Sequence, residues 1–153
     1  METKEKYYAP DLSEFHKGFE FEKYIDGDFD NQLQVGWQKE IADWSDIDLA
    51  FDDDEHQNEV FKQLYRVKYL DREDIESLGF GEHKETSAYD MFFYKDSFSI
   101  GKRKNGKYEI CLWHRKPEDN NGAGMAETLF LGEIKNKSEL QVILKQTGIT
   151  NGN

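Results

Sequence analysis

The chain has 153 residues, of which 14% are aromatic and 34% charged, with two prolines and a formal net charge of −12 at pH 7. That is enough length and ring-bearing side chain for one domain with a core. It excludes a linker, a low-complexity chain and a disulfide scaffold, since Cys111 is the sole cysteine.

The acidity is lopsided. Residues 1–60 hold 5 Lys and Arg against 18 Asp and Glu, a net of −13, and the rest of the chain is +1. Such a field repels nucleic acid and anionic membranes and favours cations or proteins with a basic surface. No apolar run follows residues 1–6 and no stretch has the length of a bilayer span, so the expectation is a soluble protein of a reducing compartment with no direct nucleic-acid or membrane partner.

Residues 1–10 read as an N-terminal tail and residues 11–153 as a single domain. Residues 14–24 read as a strand, with Phe15, Phe19 and Phe21 on one parity and His16, Glu20 and Glu22 on the other. Residues 26–31 read as a polar turn. Residues 35–44 fit both a strand (Val35, Trp37, Ile41) and a helix (Trp37, Ile41, Trp44), with strand preferred. Ser45 can begin a short helix, and residues 52–59 form a charged loop or helix end.

The clearest element spans residues 66–80. Val67 and Tyr69 alternate with Arg66 and Lys68 as in a half-buried strand. Asp71 stands where a helix N-cap belongs, with Glu73 and Asp74 at the positive end of the dipole. Leu70 and Ile75 have the spacing of a hydrophobic staple, Gly79 can end the helix in the left-handed conformation, and Phe80 packs behind it.

A meander follows: strands at 91–94, 97–102 and 108–114, turned at Lys95 and Asp96 and at Lys104, Asn105 and Gly106, where Asn-Gly suggests a tight hairpin. Tyr108, Ile110 and Leu112 point inward, which puts Cys111 and Trp113 on a second covered face. A last strand spans 128–134. Asn136 and Glu139 then open a helix carrying a Leu140, Ile143 and Leu144 stripe, ended by Gly148. The fold expected is α+β: a mainly antiparallel curved sheet with a short capped helix and a C-terminal helix packed on it.

Three segments, residues 14–22 (Glu-Phe-His-Lys-Gly-Phe-Glu-Phe-Glu), residues 66–79 and residues 132–140 (Gly-Glu-Ile-Lys-Asn-Lys-Ser-Glu-Leu), together resemble small conserved proteins of tailed bacteriophages, and of prophage regions, of Bacteroidetes-type bacteria. The resemblance covers most of the chain in order, except that residues 26–63 match loosely. It implies a setting, the host cytoplasm or the virion, and no catalytic residues.

Three groups stand as candidate sites. His16, Glu20 and Glu22 on one strand face offer an imidazole and two carboxylates for a divalent cation, against the simpler reading of a solvated face. Asp52, Asp53, Asp54 and Glu55, with Glu59, form the densest acidic run, either a solvating loop or a patch that imitates phosphate spacing. Lys102, Arg103, Lys104 and Lys107 crowd a hairpin tip that can stay solvated, grip a phosphate or meet the acidic region of a second copy. Asp26, Asp28 and Asp30 begin like a calcium loop, but Asn31 and Trp37 stand where its glycine and bidentate carboxylate belong. Cys111 has no CxxC partner, and no P-loop, GxGxxG, GxSxG or HExxH occurs.

The leading expectation is a non-enzymatic accessory protein that binds a host or phage protein through its acidic N-terminal region, inhibiting a nucleic-acid-binding protein, with no cofactor. The alternatives are a metal-assisted enzyme on phosphate esters using His16, Glu20 and Glu22, and a self-associating structural component of the virion.

Overall fold

The computed structural model describes residues 6–25, 35–43, 65–83, 88–116 and 124–149. It is α+β, built from two open antiparallel sheets rather than one. Contacts divide the chain into two compact units, Met1–Tyr69 and Leu70–Asn153.

The first unit holds β1 (Tyr7–Tyr8), β2 (Glu20–Ile25), β3 (Gly36–Ile41) and β4 (Tyr65–Lys68) in the order β1-β4-β2-β3. The strand expected over residues 14–24 begins only at Glu20. Before it the chain makes a 3-10 turn, Leu12–Glu14, closed by the Glu14 carboxylate, which accepts from the Tyr8 hydroxyl at 2.6 Å and from Asp11 N at 2.7 Å. It then turns again at Gly18, whose φ of +90° occupies the position a type II turn reserves for glycine, as Phe19 N donates to His16 O at 3.0 Å. Two local turns, invisible to a parity count, replace the first half of that strand.

The core expected from that parity nevertheless forms. Phe15, Phe19 and Phe21 are all buried, with ring centroids 5.0 to 6.5 Å apart, together with Ala42 and Val67. Each ring taken fully from water is worth roughly 2–3 kcal/mol. Gly18 N to Ala42 O and Ala42 N to Phe19 O fasten this turn to the end of β3.

The second unit runs α1 (Arg72–Ser77), β5 (Gly81–Glu82), β6 (Tyr89–Lys95), β7 (Phe98–Arg103), β8 (Tyr108–Arg115), β9 (Met125–Gly132) and α2 (Lys137–Gln146). Its sheet is a meander in sequence order. Asp71 caps α1 in a reciprocal box with Asp74, and Leu70, Ile75 and Phe80 are buried as the staple and stop require. Asn136 Oδ1 accepts from Glu139 N at 2.8 Å, while Glu139 Oε2 reaches one residue further back, to Lys135 N at 2.7 Å. The far end of α2 is a Schellman stop: Gly148, at φ +82°, and Ile149 donate to Lys145 O and Leu144 O.

Leu140 and Leu144 of α2, Ile75 of α1 and Leu78 at its C-cap share one core with Phe93, Ile100, Tyr108 and Ile110 of the sheet. Both helices therefore cover the same sheet face. The tip between β7 and β8 is a three-residue loop rather than a two-residue Asn-Gly turn. Gly106 N donates to Arg103 O and Arg103 N to Lys107 O, and of the loop residues only Gly106 takes a positive φ. No helix among the described residues is long and apolar enough to cross a membrane.

Candidate functional site

The residues singled out in the sequence disperse. His16 lies in the turn before β2, exposed, with Nδ1 3.1 Å from Lys17 O and its ring 5.6 Å from that of Phe19. Glu20 opens β2. Glu22 lies two residues on, half-buried, and is engaged by Arg66. The shared strand face expected of His16, Glu20 and Glu22 therefore lacks His16, because the turn at Gly18 ends the alternation. No three His, Cys, Asp or Glu among the described residues gather as metal ligands. Asp52, Asp53, Asp54, Glu55 and Glu59 lie outside the described residues, as do Asp26, Asp28 and Asp30.

At the hairpin tip, Lys104 and Lys107 are exposed, but the other two cations are committed. Lys102 Nζ sits 5.5 Å over the Tyr108 ring, and Arg103 Nε donates to Glu109 at 2.6 Å. The four charges do not form one phosphate grip.

Two other constellations are built instead. The first lies on the face of the first sheet opposite the Phe core. Cross-strand register pairs Glu22 with Arg66 and Lys39, Tyr24 with Trp37, and Tyr7 with Lys68. Side chains directly opposite share a face, so Tyr7, Glu22, Tyr24, Trp37, Ile41 and Arg66 all project there. Arg66 is the hub. Its Nε donates to Glu22 Oε2 at 2.6 Å, and its guanidinium carbon lies 3.7 Å from the Tyr7 ring centroid and 4.2 Å from that of Trp37. Tyr24 meets Trp37 edge-on at 5.4 Å. The result is a ladder of three rings and one cation reaching from β1 to β3. Tyr24 is 38% exposed, Trp37 36% and Ile41 65%. Arg66 has five donors and one carboxylate engages one edge of it, so donor capacity remains on the open side.

The second constellation lies on the meander face opposite the helices, in the second unit. Glu109, 7% exposed, is its centre. Its Oε2 accepts from Arg103 Nε and from the Tyr89 hydroxyl at 3.3 Å, and its Oε1 accepts from the Thr128 hydroxyl at 3.2 Å and the Cys111 thiol at 3.3 Å. Beside it, Trp113 Nε1 donates to Ser99 Oγ at 2.8 Å. Tyr89 and Phe92 close over Gly101, where a Cβ would stand 2.6 Å from the Tyr89 ring. Burial pushes the Cys111 thiol up to about 11, with the Glu109 hydrogen bond and charge adding to it. For Glu109, burial favours the neutral acid, but the hydrogen bond from Arg103 and then those from Cys111 and Thr128 outweigh it, and its pKa is lowered. A protonated thiol locked to a carboxylate is no nucleophile at neutral pH. Glu109 and its four donors satisfy one another, and the network reads as structure.

Neither constellation was singled out in the sequence. The pattern puts Arg66 and Trp37 on strands, but their meeting depends on long-range register, with Glu22 and Arg66 44 positions apart. Glu109 leaves one local signal, a carboxylate flanked by the buried Tyr108 and Ile110.

Comparison of the chain with family models, curated proteins and solved structures gives no match. The functional reading therefore rests on geometry and charge.

Proposed function

We propose that the chain is an accessory protein of a tailed bacteriophage that works by binding another protein, and that it engages this partner through the open face of the first sheet. The observation that supports the reading is the Tyr24–Trp37–Arg66–Tyr7 ladder, with Trp37 and Tyr24 more than a third exposed. Trp, Tyr and Arg dominate the energetics of protein interfaces because they bury large rigid surfaces and keep a polar handle. Here each ring is already held by a neighbour, so ordering it on binding costs little. The net of −13 over residues 1–60 favours a partner with a basic surface, and the resemblance to phage proteins supplies the setting.

The test is affinity purification of the tagged protein from infected cells, run beside Trp37→Ala and Arg66→Ala. The expected result is a partner recovered in fixed ratio with the wild type, lost with both variants and weakened by salt. Recovery of the same proteins in the same ratio with both variants would sink the reading.

A further inference from the structure

We infer that the ladder is a docking site for a proline-rich peptide segment flanked by Lys or Arg. This rests on the protein-binding reading above and names the chemistry of the partner.

The argument is one of complementarity. The ladder offers flat aromatic surface and donors: the Arg66 N–H groups beyond the edge held by Glu22, and the indole N–H of Trp37, which no described residue accepts. By contrast, the Trp113 N–H is committed to Ser99. The ligand that fits has apolar rings to stack and acceptors without donors. A polyproline II segment is that ligand. It makes no internal hydrogen bonds, its carbonyls point outward, and its prolines carry no N–H that would need an acceptor from this face. One turn of it advances about 9 Å over three residues. It is also stiff before binding, so little order is lost.

The flanking charge follows from the chain's acidity. By register Glu20, Lys39 and Lys68 share this face with Glu22 and Arg66, so the face itself carries a net of only +1, while residues 1–60 carry −13. Basic residues beside the prolines are drawn by that field. The same field opposes a nucleic-acid strand, the other ligand that stacks on rings.

The probe is a synthetic peptide of eight prolines followed by two arginines, titrated into the full-length 15N-labelled protein. The control is an eight-residue Gly-Ser repeat with the same two arginines. Expected are progressive shifts of the Trp37 indole signal, assigned by its absence in Trp37→Phe, and of the β2 and β3 amides. Weakening by about ten-fold or more is expected in both Trp37→Ala and Tyr24→Ala. Unchanged signals from the first unit's own core, Phe15, Phe19, Phe21 and Val67, verify that each variant is folded.

Three outcomes overturn the inference: no shift at about 1 mM peptide, equal binding of the Gly-Ser control, or shifts of the same residues by cellohexaose or a ten-nucleotide thymidine strand in place of the proline peptide. If the peptide fails while Trp37→Ala still loses a partner captured from infected cells, this inference falls and the protein-binding reading stands. If both are silent, both fall.

Discussion

Arg103 and Glu109 are diagonal neighbours across the β7–β8 hairpin, the last residue of one strand and the second of the next, with Arg103 Nε donating to Glu109 Oε2 at 2.6 Å. This pair is the outer end of a network that reaches inward through Tyr89, Cys111 and Thr128. Glu109 is the one acceptor common to all four donors. Glu109→Ala leaves them without it, the protonated thiol and two hydroxyls among them. The expected loss is about 2–4 kcal/mol of unfolding free energy, measured by urea titration. Arg103→Ala leaves three of the four bonds and should cost about half as much. Equal losses would mean that the ion pair alone matters.

The same carboxylate predicts an acid-sensitive fold. Its folded pKa lies below its unfolded value, so the stabilisation it brings is complete above the ordinary carboxylate range near 4.5 and is lost as pH falls through the lowered folded value. Unfolding free energy followed from pH 6 downward should therefore drop in the wild type. In Glu109→Gln the starting stability should be lower and that part of the drop absent. Parallel curves for the two proteins would assign the acid sensitivity to other groups.

Cys111 should be inert while the protein is folded. With its pKa pushed to about 11 by burial and then by Glu109, the thiolate is on the order of 0.1% of the population at pH 8. DTNB at pH 8 should release no colour on the timescale of minutes from the native protein and one equivalent at once in 6 M guanidinium. Glu109→Gln removes the charge that opposes the thiolate and should raise the native rate. Fast labelling of the wild type would show that the second sheet opens locally at Cys111.

What the sequence disclosed was local. The cap at Asp71, the stop at Gly79, the Asn136 cap and the Gly148 stop act within a few residues, so residue type and spacing suffice to read both helices. The meander was legible because its turns are short and its strands alternate. The lost half of the β2 strand shows the limit. Gly18 at positive φ breaks the alternation, yet Phe15 and Phe19 still reach the core that parity assigned to them. The candidate sites were least legible because they are made by register. Glu22, Trp37 and Arg66 come from three strands, and nothing in their local sequence marks them as neighbours.

Gly101 supplies a test of how the outer face of the meander is covered. It lies in β7 opposite Glu109, and Tyr89 and Phe92 occupy the space its missing side chain leaves. A methyl group placed there stands 2.6 Å from one Tyr89 ring carbon, 2.7 Å from the next and 3.0 Å from the Phe92 ring. Both rings must move, and moving Tyr89 breaks its hydrogen bond to Glu109. Gly101→Ala should therefore destabilise by about 1–3 kcal/mol, although alanine is otherwise the better strand residue. The double variant Gly101→Ala with Tyr89→Ala removes the obstructing ring. It should be less destabilised than the sum of the two single changes, because the clash and the hydrogen bond are lost together. Additive effects in that cycle would mean that Tyr89 does not pack over Gly101 in solution.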